Sequence, residues 1–256
     1  MLNDIPRKTF SLTFLGSGNA HSAELGNSCA VVDIDSSHLV IDFGFTSYHS
    51  YRSRYKRYPD AIFITHPHLD HIGGLENLFF DAFFNSNEKI KIFAHYKLIP
   101  ILHMKLASAE NAIAEGGVSF WDAFQLIPVG DSFWFKDRLF KVFENRHHQP
   151  GFSYGFCLPG VFLYSGDTKP IPEIINSLAS NGEVIFHDLS LSPQPSHTFI
   201  DELCQYTDSV LSRCFFYHLK SISENKLCIS KGLNVVDVGH TYNLQLFTRT
   251  NLELIA

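Results

Sequence analysis

The chain has 256 residues, a net charge of −6 at pH 7, 45% hydrophobic residues and 24 phenylalanines. That apolar content suffices for a buried core, and the negative balance supplies no general attraction to nucleic acid or to an anionic membrane. Five cysteines, an odd count with no Cys-x-x-Cys pair, argue against a disulfide framework or a thiolate zinc site and fit a reducing, cytoplasmic setting.

Phe10, Leu12 and Phe14 alternate with Ser11 and Thr13, the period of a strand. This apolar run follows Arg7 and Lys8 but is too short for a signal segment, and no stretch reaches the roughly 18 apolar residues of a membrane span. Gly16-Ser17-Gly18 breaks the strand; it lacks the third glycine of a dinucleotide loop and reads as a turn. Strands are predicted at 29–34 and 38–43, then a helix from Thr46. The segment Tyr48–Tyr58 mixes four cations with four tyrosines. It reads as a helix whose Arg and Lys stems lie over aromatic rings rather than as a nucleic-acid surface.

A strand at 61–64 follows. Further helices are predicted at 72–84, 96–114, 171–180, 198–206 and 221–230. Strands are predicted near 90–94, 118–127, 132–135, 138–145, 153–158, 161–165, 183–187, 210–216 and 233–238. With no linker or repeat, residues 1–256 read as one α/β domain of packed sheets covered by helices.

Fourteen histidines are the unusual feature. Three of them and a carboxylate crowd into Thr65-His66-Pro67-His68-Leu69-Asp70-His71-Ile72-Gly73-Gly74, directly after the 61–64 strand. Burying such a group is costly unless something ties it together. A cation does so, because imidazole nitrogen and carboxylate oxygen are ligands that zinc accepts. Pro67 stiffens the loop, and Gly73-Gly74 allows a tight turn into the next helix.

His-x-His-x-Asp-His after a strand resembles the signature of the metallo-β-lactamase superfamily. Phe14-Leu15-Gly16-Ser17-Gly18 and the segment ending Asp42-Phe43-Gly44 are similar to that family's first glycine turn and its Asp-x-Gly strand end. His148 before Ser153–Phe156, Tyr164–Pro170 around Asp167, and Phe216–Ser221 around His218 resemble later metal-binding segments of the ribonuclease Z and phosphodiesterase branch. The resemblance implies a four-layer αββα sandwich. It implies one metal on His66, His68 and His148, a second on Asp70, His71 and His218, and Asp167 bridging both. His147 is the rival of His148. It further implies two divalent ions, Zn2+ foremost with Mn2+ or Fe as alternatives, and hydrolysis by a metal-bridging hydroxide that Asp70 helps to orient.

His187-Asp188 and Ser196-His197-Thr198 are similar to segments in which that branch carries a histidine assisting phosphodiester cleavage. His197 is thus a candidate catalytic residue, although Asp188 stands where Glu is usual. Asp167 lies only 19 residues after His148, which leaves no room for the tRNA-gripping arm common in ribonuclease Z enzymes. A small-molecule or short nucleotide phosphodiester is therefore the expected substrate and full tRNA is disfavoured. A lactonase or thioesterase on the same fold, and a non-catalytic metal-binding sensor, are the competing readings. The resemblance is also compatible with a homodimer, and no membrane partner is expected.

Overall fold

Buried Phe10, Leu12 and Phe14 anchor β1 (Phe10–Gly16), which pairs antiparallel with β2 (Cys29–Ile34) and through it with β3 (Ser37–Ile41). The computed structural model describes residues 10–86, 88–107 and 118–244. After α1 (Ser47–Tyr55), the fully buried β4 (Ala61–Ile64) pairs parallel with β3 and with β5 (Ile90–His95). The one-turn α2 (Leu69–Ile72) and α3 (Leu75–Asn85) form the crossover between them, and α4 (Ile99–Leu106) precedes β6 (Phe124–Val129). Strands buried on both faces read as continuous apolar runs, which is why Ala61-Ile-Phe-Ile64 does not alternate.

The chain then builds a second sheet. It comprises β7 (Ser132–Phe135), β8 (Arg138–Glu144), β9 (Tyr154–Leu158), β10 (Phe162–Tyr164), β11 (Val184–Asp188) and β12 (Cys214–Tyr217). Helices α5 (Pro172–Leu178), α6 (Asp208–Leu211) and α7 (Ile222–Ser230) are interspersed, and β13 (Thr241–Asn243) returns to the first sheet beside β1. The orders are β13-β1-β2-β3-β4-β5-β6 and β12-β11-β10-β9-β8-β7. Two mixed sheets flanked by helices form the metallo-β-lactamase fold.

Aromatic rings fill the space between the sheets. Phe14 of β1 meets Phe186 at 5.5 Å and Tyr217 at 5.6 Å, and Phe63 of β4 meets Phe156 at 4.7 Å and Phe133 at 5.2 Å. Such pairs contribute about 0.5–1.5 kcal/mol beyond area burial, a use for the abundant phenylalanine. In the Tyr48–Tyr58 segment, Arg52 lies 4.6 Å from the Tyr58 ring and pairs with Asp81, and Arg57 pairs with Asp60. Arg52 and Arg54 thus lie over tyrosine rings, the arrangement expected for this helix.

Several expected elements differ. Ser119 and Asp122 form a reciprocal cap on a short 3-10 turn at Phe120–Asp122, so β6 begins only at Phe124 instead of running from 118. Residues 208–211 are helical, and the strand predicted over 210–216 is β12, starting at Cys214. In place of a strand at 233–238 there is an isolated bridge between Phe216 and Val235. The helix predicted over 96–114 is α4 as far as Leu106; its part from 108 onward lies outside the described residues. No helix among the described residues is long and apolar enough to cross a membrane.

Candidate metal centre

β4 delivers the histidine loop to the end of the sheet. Thr65 N and Thr65 Oγ1 donate to Asp42 at 2.8 and 2.7 Å, and Thr65 O accepts from Tyr154 N at 3.0 Å, so the loop is fixed to both sheets. His71 N and Ile72 N donate to His68 O, closing the single turn of α2 that presents Asp70 and His71. Lys105 Nζ holds Pro67 O at 2.6 Å from the α4 side. Gly44 and Gly74 let the backbones following β3 and α2 touch: a Cβ on Gly44 would lie 1.8 Å from Asp70 O.

The side chains converge in two groups. His66 Nε2 and His147 Nε2 lie 3.0 and 3.1 Å from His68 Nδ1. Asp70 Oδ2 lies 3.5 Å from His71 Nε2 and 3.8 Å from His218 Nε2. In each group, three ligand-type atoms fall within 4.8 Å of one another. Between the groups sits Asp167, whose Oδ2 is 3.1 Å from His218 Nε2 and 3.2 Å from His71 Nε2. The same oxygen is 3.8 Å from His66 Nε2 and 3.9 Å from His147 Nε2.

Six of the seven residues expected as ligands therefore meet: His66, His68, Asp70, His71, Asp167 and His218. His148 is the one expected ligand that these groups leave out. It is exposed, whereas His147 points inward and donates from Nδ1 to Ser196 O at 2.9 Å. Asn145 N pairs with Ser153 O and Arg146 N with Thr168 Oγ1, which fixes the loop with the His147 ring inward and the His148 ring outside it, 4.4 Å from the His68 ring.

The donor set fits cations. His71 Nε2, His218 Nε2 and Asp167 Oδ1 are buried with no hydrogen-bond partner, an expensive arrangement without a charge to coordinate. Their rings are oriented from the other side: His71 Nδ1 donates to Asp42 Oδ2 at 2.7 Å, and His218 Nδ1 lies 3.6 Å from Asp188 Oδ1. His218 also takes a left-handed backbone (φ 72°), fixed by donation from its N–H to Ser17 O at 2.7 Å. Histidine tolerates that region better than most residues, but it has a cost, and such outliers collect at functional sites.

Electrostatics point the same way. Burial, then neighbouring imidazoles, push His66 well below its ordinary value and His68 down to about 4, leaving lone pairs free at neutral pH. Burial would depress His71 too, but the Asp167 and Asp42 carboxylates override it and hold that imidazole well above its usual range. Burial would raise Asp167, yet His218 and His71 hold it well below the carboxylate range.

A cavity of about 220 Å³ opens onto the cluster, lined by Asp70, Asp167, His197 and His218 and by the loops at 19–21 and 190–194. His197 Nδ1 donates to Asp188 Oδ2 at 2.8 Å, and its ring stacks on His218 with centroids 4.7 Å apart. Burial would lower its pKa, but Asp188 raises it to about 9. His187, buried behind, bonds Tyr206 Oη at 2.8 Å and takes no part in the cavity. The larger cleft of about 970 Å³, near Pro59 and Lys136, lies at the opposite end of β4 and contains none of this chemistry. Sequence reasoning missed Asp42 as the residue that orients His71; its position in the Asp-x-Gly strand end was the available signal.

A sequence profile of the family described as "Anti-Pycsar protein Apyc1" matches residues 10–242. A protein of that name from Paenibacillus harenae is 29% identical over 213 residues, covering 81% of this chain and 88% of the relative. Among solved structures, a diphosphatase of the PhnP family superposes with a TM-score of 0.73 at 19% identity, covering 94% of this chain and 100% of that one. The metallo-β-lactamase fold protein YhfI from Bacillus subtilis superposes with a TM-score of 0.72 at 15% identity, covering 91% and 99%.

Proposed function

This chain belongs to the anti-Pycsar Apyc1 family, and from that premise we propose that it is a dinuclear metal-dependent phosphodiesterase acting on a small nucleotide phosphodiester, with a 3′,5′-cyclic mononucleotide as the most compact form. The observation that carries the reading is the single oxygen, Asp167 Oδ2, within 3.1–3.9 Å of histidines from both groups. A carboxylate so placed suits a bridge between two ions. His66, His68 and His147 would hold one, and Asp70, His71 and His218 the other. Nitrogen-rich, borderline donors favour Zn2+, with Mn2+ or Fe tested by metal analysis. A pair of divalent cations supplies Lewis acidity and lowers the pKa of water toward about 7.

The chain's own groups do the rest. The Asp70 carboxylate faces the cavity, where it would accept a hydrogen bond from the attacking water and orient it. The His197 imidazolium, oriented by Asp188, is placed to protonate the departing alkoxide, a role worth about 10²–10⁴ in rate. The cavity's size and the short interval between His147 and Asp167 support a compact substrate over a folded RNA. Every position of the expected ligand set is filled, which weighs against a non-catalytic sensor.

The test is metal analysis with parallel assays of bis(p-nitrophenyl) phosphate, 3′,5′-cyclic nucleotides, lactones and thioesters, on wild type and Asp167→Ala. About two equivalents of metal and phosphodiester turnover are expected in wild type, both diminished in the variant. Rapid lactone or thioester turnover with inert phosphodiesters would transfer the assignment to carbonyl hydrolysis.

A further inference from the structure

Two loops that hold no metal ligand complete the cavity, and each is sewn to backbone beside a ligand. Asn19 N donates to Leu219 O at 3.2 Å, next to His218, and carries Asn19 and His21 to one wall. In the second loop, Ser196 O accepts from His147, Ser190 N donates to Thr198 O, and Lys169 Nζ donates to Gln194 O at 3.1 Å. Gln194 is flanked by Pro193 and Pro195. Their fixed φ values remove backbone freedom on both sides of it. A three-point-anchored loop thus places the exposed Gln194 in the lining of the metal cavity, and among the described residues its backbone oxygen, not its side-chain amide, is the atom that takes a hydrogen bond.

A primary amide both donates and accepts, and so matches a hydroxyl group rather than a phosphate oxygen, which only accepts. At about 220 Å³ the cavity is smaller than the roughly 300–1,000 Å³ of sites that enclose a drug-sized ligand whole. It therefore accommodates the phosphodiester and the sugar that carries it. The same lining includes Asn19 and His21, again hydrogen-bonding groups.

We propose that Gln194 is the specificity-determining residue that binds the ribose 2′-hydroxyl of the substrate, making the enzyme selective for ribonucleotide over deoxyribonucleotide phosphodiesters. The inference rests on the phosphodiesterase reading and deepens it. An analogue lacking the hydroxyl leaves the positioned amide unpaired in the complex, and one such hydrogen bond corresponds to about tenfold in rate.

The experiment compares kcat/KM for 3′,5′-cyclic AMP and its 2′-deoxy analogue in metal-loaded wild type, Gln194→Ala and Gln194→Glu. Bis(p-nitrophenyl) phosphate is assayed with wild type, and metal content with all three proteins. The expected result is a ribo preference of about tenfold or more in wild type that collapses toward one in Gln194→Ala, at wild-type metal stoichiometry. Gln194→Glu, which still accepts from a hydroxyl, retains part of it. A ribo preference equal in wild type and Gln194→Ala, or none in wild type, overturns the inference while bis(p-nitrophenyl) phosphate turnover leaves the phosphodiesterase reading standing. A wild type inert toward all three phosphodiesters removes both.

Discussion

Asp42 and His71 share a 2.7 Å hydrogen bond in the fully buried space behind the metal loop, and the same carboxylate fixes a second histidine. Thr65 Oγ1 donates to Asp42 Oδ2, so it must accept from His66 Nδ1, 3.0 Å away. One residue thereby sets the tautomers of two rings, turning both Nε2 atoms toward the cluster. Asp42→Asn keeps the shape but replaces one anionic acceptor oxygen with a donor. Metal affinity should fall about 10–100-fold, the usual effect of losing the group behind a ligand. Chelator competition on the purified variant measures this, and an affinity equal to wild type would refute the role.

His147 and His148 both border His68, but only His147 joins a ligand-type group. His147 lies 3.1 Å from His68 and 3.9 Å from Asp167, while His148 is exposed and meets the His68 ring only through a tilted ring contact, with centroids 4.4 Å apart. His147→Ala should lose about one metal equivalent and most activity. His148→Ala should retain both ions, with a stability change within about 0.5 kcal/mol, as for other surface substitutions. Elemental analysis of the two variants decides, and the opposite pattern would restore the sequence-based assignment.

The choice between these two histidines marks where the sequence stops being informative. The loop from His66 to His71 is legible because a strand, a proline and two glycines leave it one geometry, and ligand residues lie within a few positions of each other. Between His147 and His148 the choice depends on which way a distant loop faces, and hydrogen bonds to Ser153 and Thr168 decide that. The positive φ of Asp42 and His218 is likewise invisible in composition or period, since tertiary contacts impose it. Strand ends failed for a local reason: the Ser119–Asp122 cap competes with the strand that apolar content alone predicts.

Activity should carry an alkaline limb set by His197. Asp188 raises its pKa to about 9 against burial, so the imidazolium is the majority form below that value and is lost as pH rises through it. A general acid is needed protonated, so kcat should decline there. Bound cations repel the imidazolium and bring the limb lower, never higher. Asp188→Asn removes the stabilising charge and should shift the limb toward the ordinary histidine value near 6.5. His197→Ala should abolish the limb and cost about 10²–10⁴ in kcat with metal retained. The pH profiles of kcat for the three proteins are the measurement, and an unchanged limb in His197→Ala would assign it elsewhere.

Gly44 and Gly130 make a matched pair for testing how tightly the loop following β3 is locked to the metal loop. A Cβ on Gly44 would meet Asp70 O at 1.8 Å and Asn27 Cβ at 2.6 Å, the first a backbone atom that can move only if α2 moves. Gly44→Ala should destabilise by at least the 1–3 kcal/mol typical of overpacking, at about the upper end or beyond. Because the displaced carbonyl belongs to Asp70, metal affinity should fall with it. At Gly130 nothing lies within 4 Å of a new Cβ, and its φ is not left-handed. Gly130→Ala should be neutral or gain about 0.4–1 kcal/mol through the unfolded chain's lost freedom. Denaturant titrations of both variants, with and without chelator, separate the two contributions. If Gly44→Ala loses stability but binds metal as wild type does, the contact braces the fold without positioning Asp70.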